Sequence, residues 1–201
     1  MNSIVFIDTE VNPQSNQLLD LGAVKPDNSK FHSASQSEFS KFISDSEYIC
    51  GHNILAHDIK YIEHLVTAPK DVFIIDTLCL SPLLFPNRPY HALLKDDKLQ
   101  VEELNNPLND SIKAMELFFD EINAFKALNE NLKQIYSALL GGWQQFSGFF
   151  KYINYIQSAD IESIIKDEFS SEICDNAPLS SIIKSNPIEL AYCLALISAN
   201  D

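Results

Sequence analysis

The hydrophobic period of this chain changes once, and that change limits its fold more than any other feature. Up to Leu78 the apolar residues come in short runs bounded by turn residues, which is strand spacing. From about Pro107 they recur every third or fourth residue, which is helix spacing. Ser3–Asp8, Gln17–Lys25 and Phe31–Ser35 predict three consecutive strands, with turns at Asn12–Asn16 and Pro26–Lys30. Ser37–Ile43 predicts a helix, and Glu47–Asn53 a strand running into a loop. Ala56–Val66 carries Ile59, Ile62 and Leu65 at helical spacing, and Asp71–Leu78 predicts a further buried strand. Strands that alternate with helices in this way make an α/β sheet flanked by helices.

The helical part opens with "ELNNPLND", Glu103 to Asp110. Asn106 suits an N-cap and Pro107 the first helical position. Ile112, Met115, Phe118, Phe119, Ile122 and Phe125 then form a broad apolar stripe. Beyond Asn129 the strand signal is gone. Apolar runs at Leu132–Leu140, Phe146–Ile156, Ile161–Phe169, Leu179–Ile183 and Ile188–Ile197 predict helices, with a break at Gly141–Gln144. The expected division is an α/β domain over residues 1–128 and a helical C-terminal region over 129–201. The last residues lie inside an apolar helical pattern, so a continuation into a further domain is expected.

At 201 residues, with 46% hydrophobic and 21% charged side chains, the chain is long enough for a sizeable core and too apolar for disorder. No apolar run approaches the roughly 20 residues of a membrane span. "MNSIVFIDTE" has neither a basic n-region nor a small-residue cleavage site, so it reads as the first strand of a cytoplasmic protein. Cys50, Cys79, Cys174 and Cys193 are scattered, with no C-x-x-C pair, and read as buried thiols. The formal net charge is −14, with a single arginine, Arg88. Such a chain lacks the cationic footprint of a sequence-independent duplex binder. Carboxylates that hold divalent cations offer another route to phosphate.

Asp8 and Glu10 in "FIDTE" stand two apart on a strand, so both point to one face. A solvated strand end is the ordinary explanation of such a pair. A hard-metal site for Mg²⁺ or Mn²⁺ is the functional one. Asp58, in "GHNILAHD", sits where a helix begins after a later strand; a helix dipole alone would favour it there. Asp76 ends the strand in "FIIDTL" and suits a helix cap. Asp110, in the first turn of the long helix, has the same dipole explanation.

Taken in order, these stretches resemble the motifs of the DEDD superfamily of 3′–5′ exonucleases, whose fold is DnaQ-like and related to ribonuclease H. "FIDTE" looks like the first motif, "GHNILAHD" like the second and "NNPLNDSIKAMELF" like the third. "IDTLCLSPLLFP" resembles the strand and helix between the second and third. The resemblance covers about Ser3 to Phe125. It implies a ribonuclease H-like mixed sheet flanked by helices, with Asp8, Glu10, Asp58 and Asp110 as catalytic metal ligands. It also implies two divalent ions, Mg²⁺ or Mn²⁺, about 4 Å apart at the scissile phosphate. Terminal phosphodiesters of nucleic acid are the implied substrate, in single-stranded or frayed ends, DNA before RNA, in repair or replication. An N-terminal module of this kind followed by helices also resembles bacterial proteins in which it precedes a RecQ-type DNA helicase domain.

One position departs from the pattern. The superfamily places a His five residues, or a Tyr four residues, before the last Asp. Here those positions hold Asn105 and Asn106, and an amide does not accept a proton near neutral pH. His91 and His57 are the candidates for a general base. Leu18, Leu55 and Phe85 are candidates to stack on a terminal nucleotide. Arg88, Lys95 and Lys98, in the segment between Asp76 and Asp110, are candidates to meet its backbone. The other class of function consistent with these residues is an exonuclease-like binding or regulatory module with weakened catalysis, attached to a helicase.

Overall fold

The computed structural model describes residues 3–66, 72–93, 106–157, 160–174 and 176–199. The chain forms two compact units. One comprises Met1–Leu78 and Ala92–Asp120; the other comprises Cys79–His91 and Glu121–Asp201. The division thus falls at Asp120/Glu121, inside a helix, and a segment from the middle of the chain belongs with the C-terminal helices.

The first unit is built on a five-stranded mixed sheet. Its strands are β1 (Ile4–Val11), β2 (Leu18–Val24), β3 (Lys30–His32), β4 (Tyr48–Gly51) and β5 (Phe73–Asp76). The order across the sheet is β3-β2-β1-β4-β5. β1 runs antiparallel to β2 and parallel to β4, which is parallel to β5. The expected order of strands and helices is found; β1 runs on to Val11, past the expected end at Asp8, and β2, β3 and β5 are shorter than expected. β3 ends at His32 rather than Ser35. β5 ends at Asp76 because Asp76 caps the next helix, α3 (Thr77–Leu84): its Oδ1 accepts the Leu78 N–H at 2.9 Å.

Side chains alternate across a strand, so β1 divides its residues between two faces. Val5 and Ile7 go to one face, with Leu21 and Ala23 of β2. That face is covered by Phe39 and Ile43 of α1 (Gln36–Ile43), with Ile54 and Ile62. The predicted helix at Ala56–Val66 is a short α2 (Ile59–Ile62) running into a 3₁₀ turn at Glu63–Leu65. Phe6 goes to the other face and meets Phe118 and Phe119 of α4 (Pro107–Ala127) at ring-centroid distances of 5.5 and 5.9 Å.

Asn106 is the N-cap of α4. Its Oδ1 accepts the N–H groups of Leu108 (3.0 Å) and Asn109 (3.3 Å), and Pro107 takes the first helical position. The start of α4 lies directly on β2 at Gly22. A Cβ there would stand 2.1 Å from the Pro107 carbonyl carbon and 2.2 Å from the Leu108 nitrogen. Only a residue without a side chain permits that approach.

The second unit is helical. It contains α5 (Glu130–Leu140), α6 (Gln144–Tyr152), α7 (Ile161–Glu168), α8 (Leu179–Ser185) and α9 (Pro187–Ser198), close to the runs read from sequence. α5 packs against α6, α7 and α9. Ile135, Leu140, Phe146, Phe149, Phe150, Ile165 and Leu194 are buried. The Cys79–His91 segment is tied to α9: Tyr192 Oη donates to the Cys79 carbonyl (2.8 Å), and Asn87 Nδ2 donates to that of Ala199 (3.1 Å).

The four cysteines form no disulfide. Cys50 is buried as expected, whereas Cys174 and Cys193 are exposed because they lie on outward positions of the helical unit. Among the described residues, no helix is long and apolar enough to cross a membrane.

Candidate metal centre

The acidic residues gather at one end of the sheet, where the parallel strands β1, β4 and β5 finish. In open α/β sheets ligands are bound outside the carboxyl ends of the strands, where the strand order reverses, here between β1 and β4. Asp8 and Glu10 lie on the α4 face of β1, opposite Gly22 and Asp20 of β2. A bulge after Glu10 ends the regular pairing. Asp110 comes from the first turn of α4, which the Gly22 contact seats on the sheet. One carboxylate oxygen from each of Asp8, Glu10 and Asp110 lies within 4.8 Å of the others, and all three residues are half-buried. Three like charges this close repel one another, and a bound cation relieves the repulsion.

The donor set fits a hard divalent cation. All three converging donor atoms are carboxylate oxygens, the type preferred by Mg²⁺ and Mn²⁺, with no sulfur or imidazole among them.

Asp58 is placed differently. It holds the N-cap position of α2 but makes no capping bond with its side chain. Its Oδ1 instead accepts from the Thr9 amide (2.9 Å) and the Thr9 hydroxyl (2.7 Å). Thr9 stands between Asp8 and Glu10, so its side chain points to the opposite face of β1. Asp58 is therefore on the side of α1 and α2, and it is not one of the three converging carboxylates. It is 1% exposed. Burial pushes its carboxyl up, opposed by the Thr9 hydrogen bond and by the charge of the neighbouring His57.

Asp76 is also structural in its contacts. Its two oxygens accept the N–H groups of Asn53 (2.8 Å) and Leu55 (3.1 Å), so β5 holds the loop that follows β4. Asn53 there adopts φ 61°, the left-handed region that asparagine tolerates better than most residues.

The remaining candidates are dispersed. His57 is exposed, with Nδ1 3.5 Å from Asp58 Oδ1 and its ring against Tyr61. His91 belongs to the helical unit, where its Nδ1 is 2.9 Å from Ser81 Oγ. Burial, then the Arg88 charge, holds the His91 imidazole below its usual range. Arg88 stacks on Phe85 in that same unit, 3.7 Å from the ring centroid. Leu18 and Leu55 pack against the Val5 and Ile7 face of the sheet. Asn105, Lys95 and Lys98 lie outside the described residues.

Two residues that shape this centre escaped the sequence reading. Gly22 carried a signal, since an isolated glycine within a strand marks a close backbone approach. Thr9 carried only its parity within D-x-E. A third feature is the Asp20–His32 pair beside Glu10, with Nε2 and Oδ2 2.7 Å apart. It depends on a strand pairing that the sequence does not display.

No protein-family model, curated protein or solved structure matches the chain. The reading of the centre therefore rests on its geometry and on the motif resemblance.

Proposed function

We propose that the α/β unit is a metal-dependent 3′–5′ exonuclease domain with a ribonuclease H-like fold. Its substrate would be the terminal phosphodiester of a single-stranded or frayed nucleic acid end, DNA before RNA. The observation that carries the reading is the convergence of Asp8 and Glu10 from β1 with Asp110 from α4. The mixed sheet, with these acids at the carboxyl end of its parallel strands, supports it.

Asp8, Glu10 and Asp110 would hold the ion. When bound, it would supply Lewis-acid stabilisation of charge on the phosphate. The chain itself contributes rigidity. Asp8 and Glu10 share one strand face, Asp110 is fixed by the Asn106 cap and the Gly22 contact, and Thr9 is fixed by Asp58. The three carboxylates would seat the ion so that the anionic backbone meets a cation instead of the protein's negative field.

Two observations favour the second reading, an exonuclease-like module that binds or regulates and is attached to a DNA helicase. The net charge is −14 with one arginine, and Asp58 is turned to Thr9. A positioned general base typically contributes about 10²–10⁴-fold, so Asn at the usual base position agrees with slow turnover.

A 3′-labelled single strand incubated with Mn²⁺ separates the two. Laddering by the wild type, abolished in Asp8→Ala, is the expected result. End binding that needs Mn²⁺ but yields no ladder supports the module. Mn²⁺ at a hundredfold excess over its Kd should stabilise the fold by about 2.7 kcal/mol. Asp110→Asn should lose most of that gain in thermal melts. A wild type whose melting is indifferent to millimolar Mn²⁺ rejects both readings.

A further inference from the structure

In the second motif-like stretch, the only carboxylate points away from the converging three. Asp58 is as deeply buried as the sheet core and lies on the face opposite Asp8 and Glu10. Its contact is nonetheless with the residue between them. β4 pairs with β1 only as far as Phe6↔Cys50, so the Thr9 amide lies past the last partner on that side. Asp58 Oδ1 takes this amide at 2.9 Å and the Thr9 hydroxyl at 2.7 Å. Two hydrogen bonds to one buried acceptor fix both the peptide and the side chain of Thr9. The peptide and Cα of Thr9 set the angle between Asp8 and Glu10.

We propose that Asp58 is a positioning residue and not a metal ligand: from the opposite face it clamps Thr9 and so fixes the spacing of the Asp8 and Glu10 carboxylates. The inference rests on the exonuclease-domain reading insofar as Asp8 and Glu10 bind metal. It departs from the ligand role that the motif resemblance implies for Asp58. Groups that orient a ligand without touching the metal are commonly worth about 10–100-fold in metal affinity.

The test is Mn²⁺ affinity by calorimetry on the full chain, at a temperature where circular dichroism shows each variant folded. Asp58→Asn keeps an oxygen acceptor for Thr9 and should bind Mn²⁺ within about twofold of wild type, whereas Asp58→Ala should bind about tenfold more weakly. Thr9→Val should also weaken binding, and Thr9→Ser, which retains both donors, should restore it. Asp8→Asn is the control for a lost ligand. If Asp58→Asn loses as much affinity as Asp8→Asn, Asp58 is a ligand and the proposal is overturned. It is equally overturned if Asp58→Ala and Thr9→Val melt early but bind as wild type does. Should Asp58→Ala fail to fold, the Thr9→Val and Thr9→Ser pair decides alone, equal affinities counting against the proposal. A wild type that binds no Mn²⁺ overturns the metal-centre reading itself, and the positioning role falls with it.

Discussion

Tyr136, on α5, is one of the largest side chains in the core of the helical unit and is 1% exposed. Burial pushes its phenol up to about 12. The unfolded chain titrates near its ordinary value of about 10. The folded state therefore keeps the proton that the unfolded state gives up. Stability from this group is complete below about pH 10 and is lost as pH rises through about 12, amounting to roughly 1 kcal/mol by pH 11. Urea unfolding at pH 9 and pH 11 should show the loss, and Tyr136→Phe should show a smaller one. Equal losses in the two proteins would place the alkaline sensitivity elsewhere. At this same scale, Asp58 shows where sequence reading stops. Spacing established that Asp8 and Glu10 share a face, because a strand has a fixed period. The direction of Asp58 depends on a loop held by Asp76 and on Asn53 at positive φ, and no period reports that.

Among the elements, α4 decides whether the centre exists. Its N-terminus was legible: Asn106 and Pro107 are a cap and a first-turn residue chosen by local chemistry, and both take those positions. Its seat was not legible, because it is a long-range contact with a residue that has no side chain. Gly22→Ala would put a methyl group 2.1 Å from the Pro107 carbonyl carbon. The helix start must then lift from β2 at a cost of roughly 1–3 kcal/mol. Asp110 would move with it, so Mn²⁺ affinity should fall even at temperatures where the variant is folded. Unchanged affinity would mean that Asp110 reaches Asp8 without this contact. The strands themselves were readable as elements because each is a short apolar run, and the C-terminal end of β5 was set by the capping role of Asp76.

At the scale of the whole molecule, the periodicity of the sequence changes near Leu128, and the two compact units divide at Asp120/Glu121. Periodicity separates α/β from helical sequence, but Cys79–His91 belongs with the helices because of bonds made to α9 more than a hundred residues later. A chain ending at Leu128 would lack Tyr192 and Ala199 as partners for that segment. It should melt less cooperatively than the full chain and bind a hydrophobic dye. A sharp transition with no dye binding would show that the α/β unit stands without the rest. The same connectivity bears on heredity. Two units that exchange segments three times along one chain cannot be parted by a single crossover in the gene. A recombination event that carried off the carboxylates as a cassette would bring a fragment of the other unit with it.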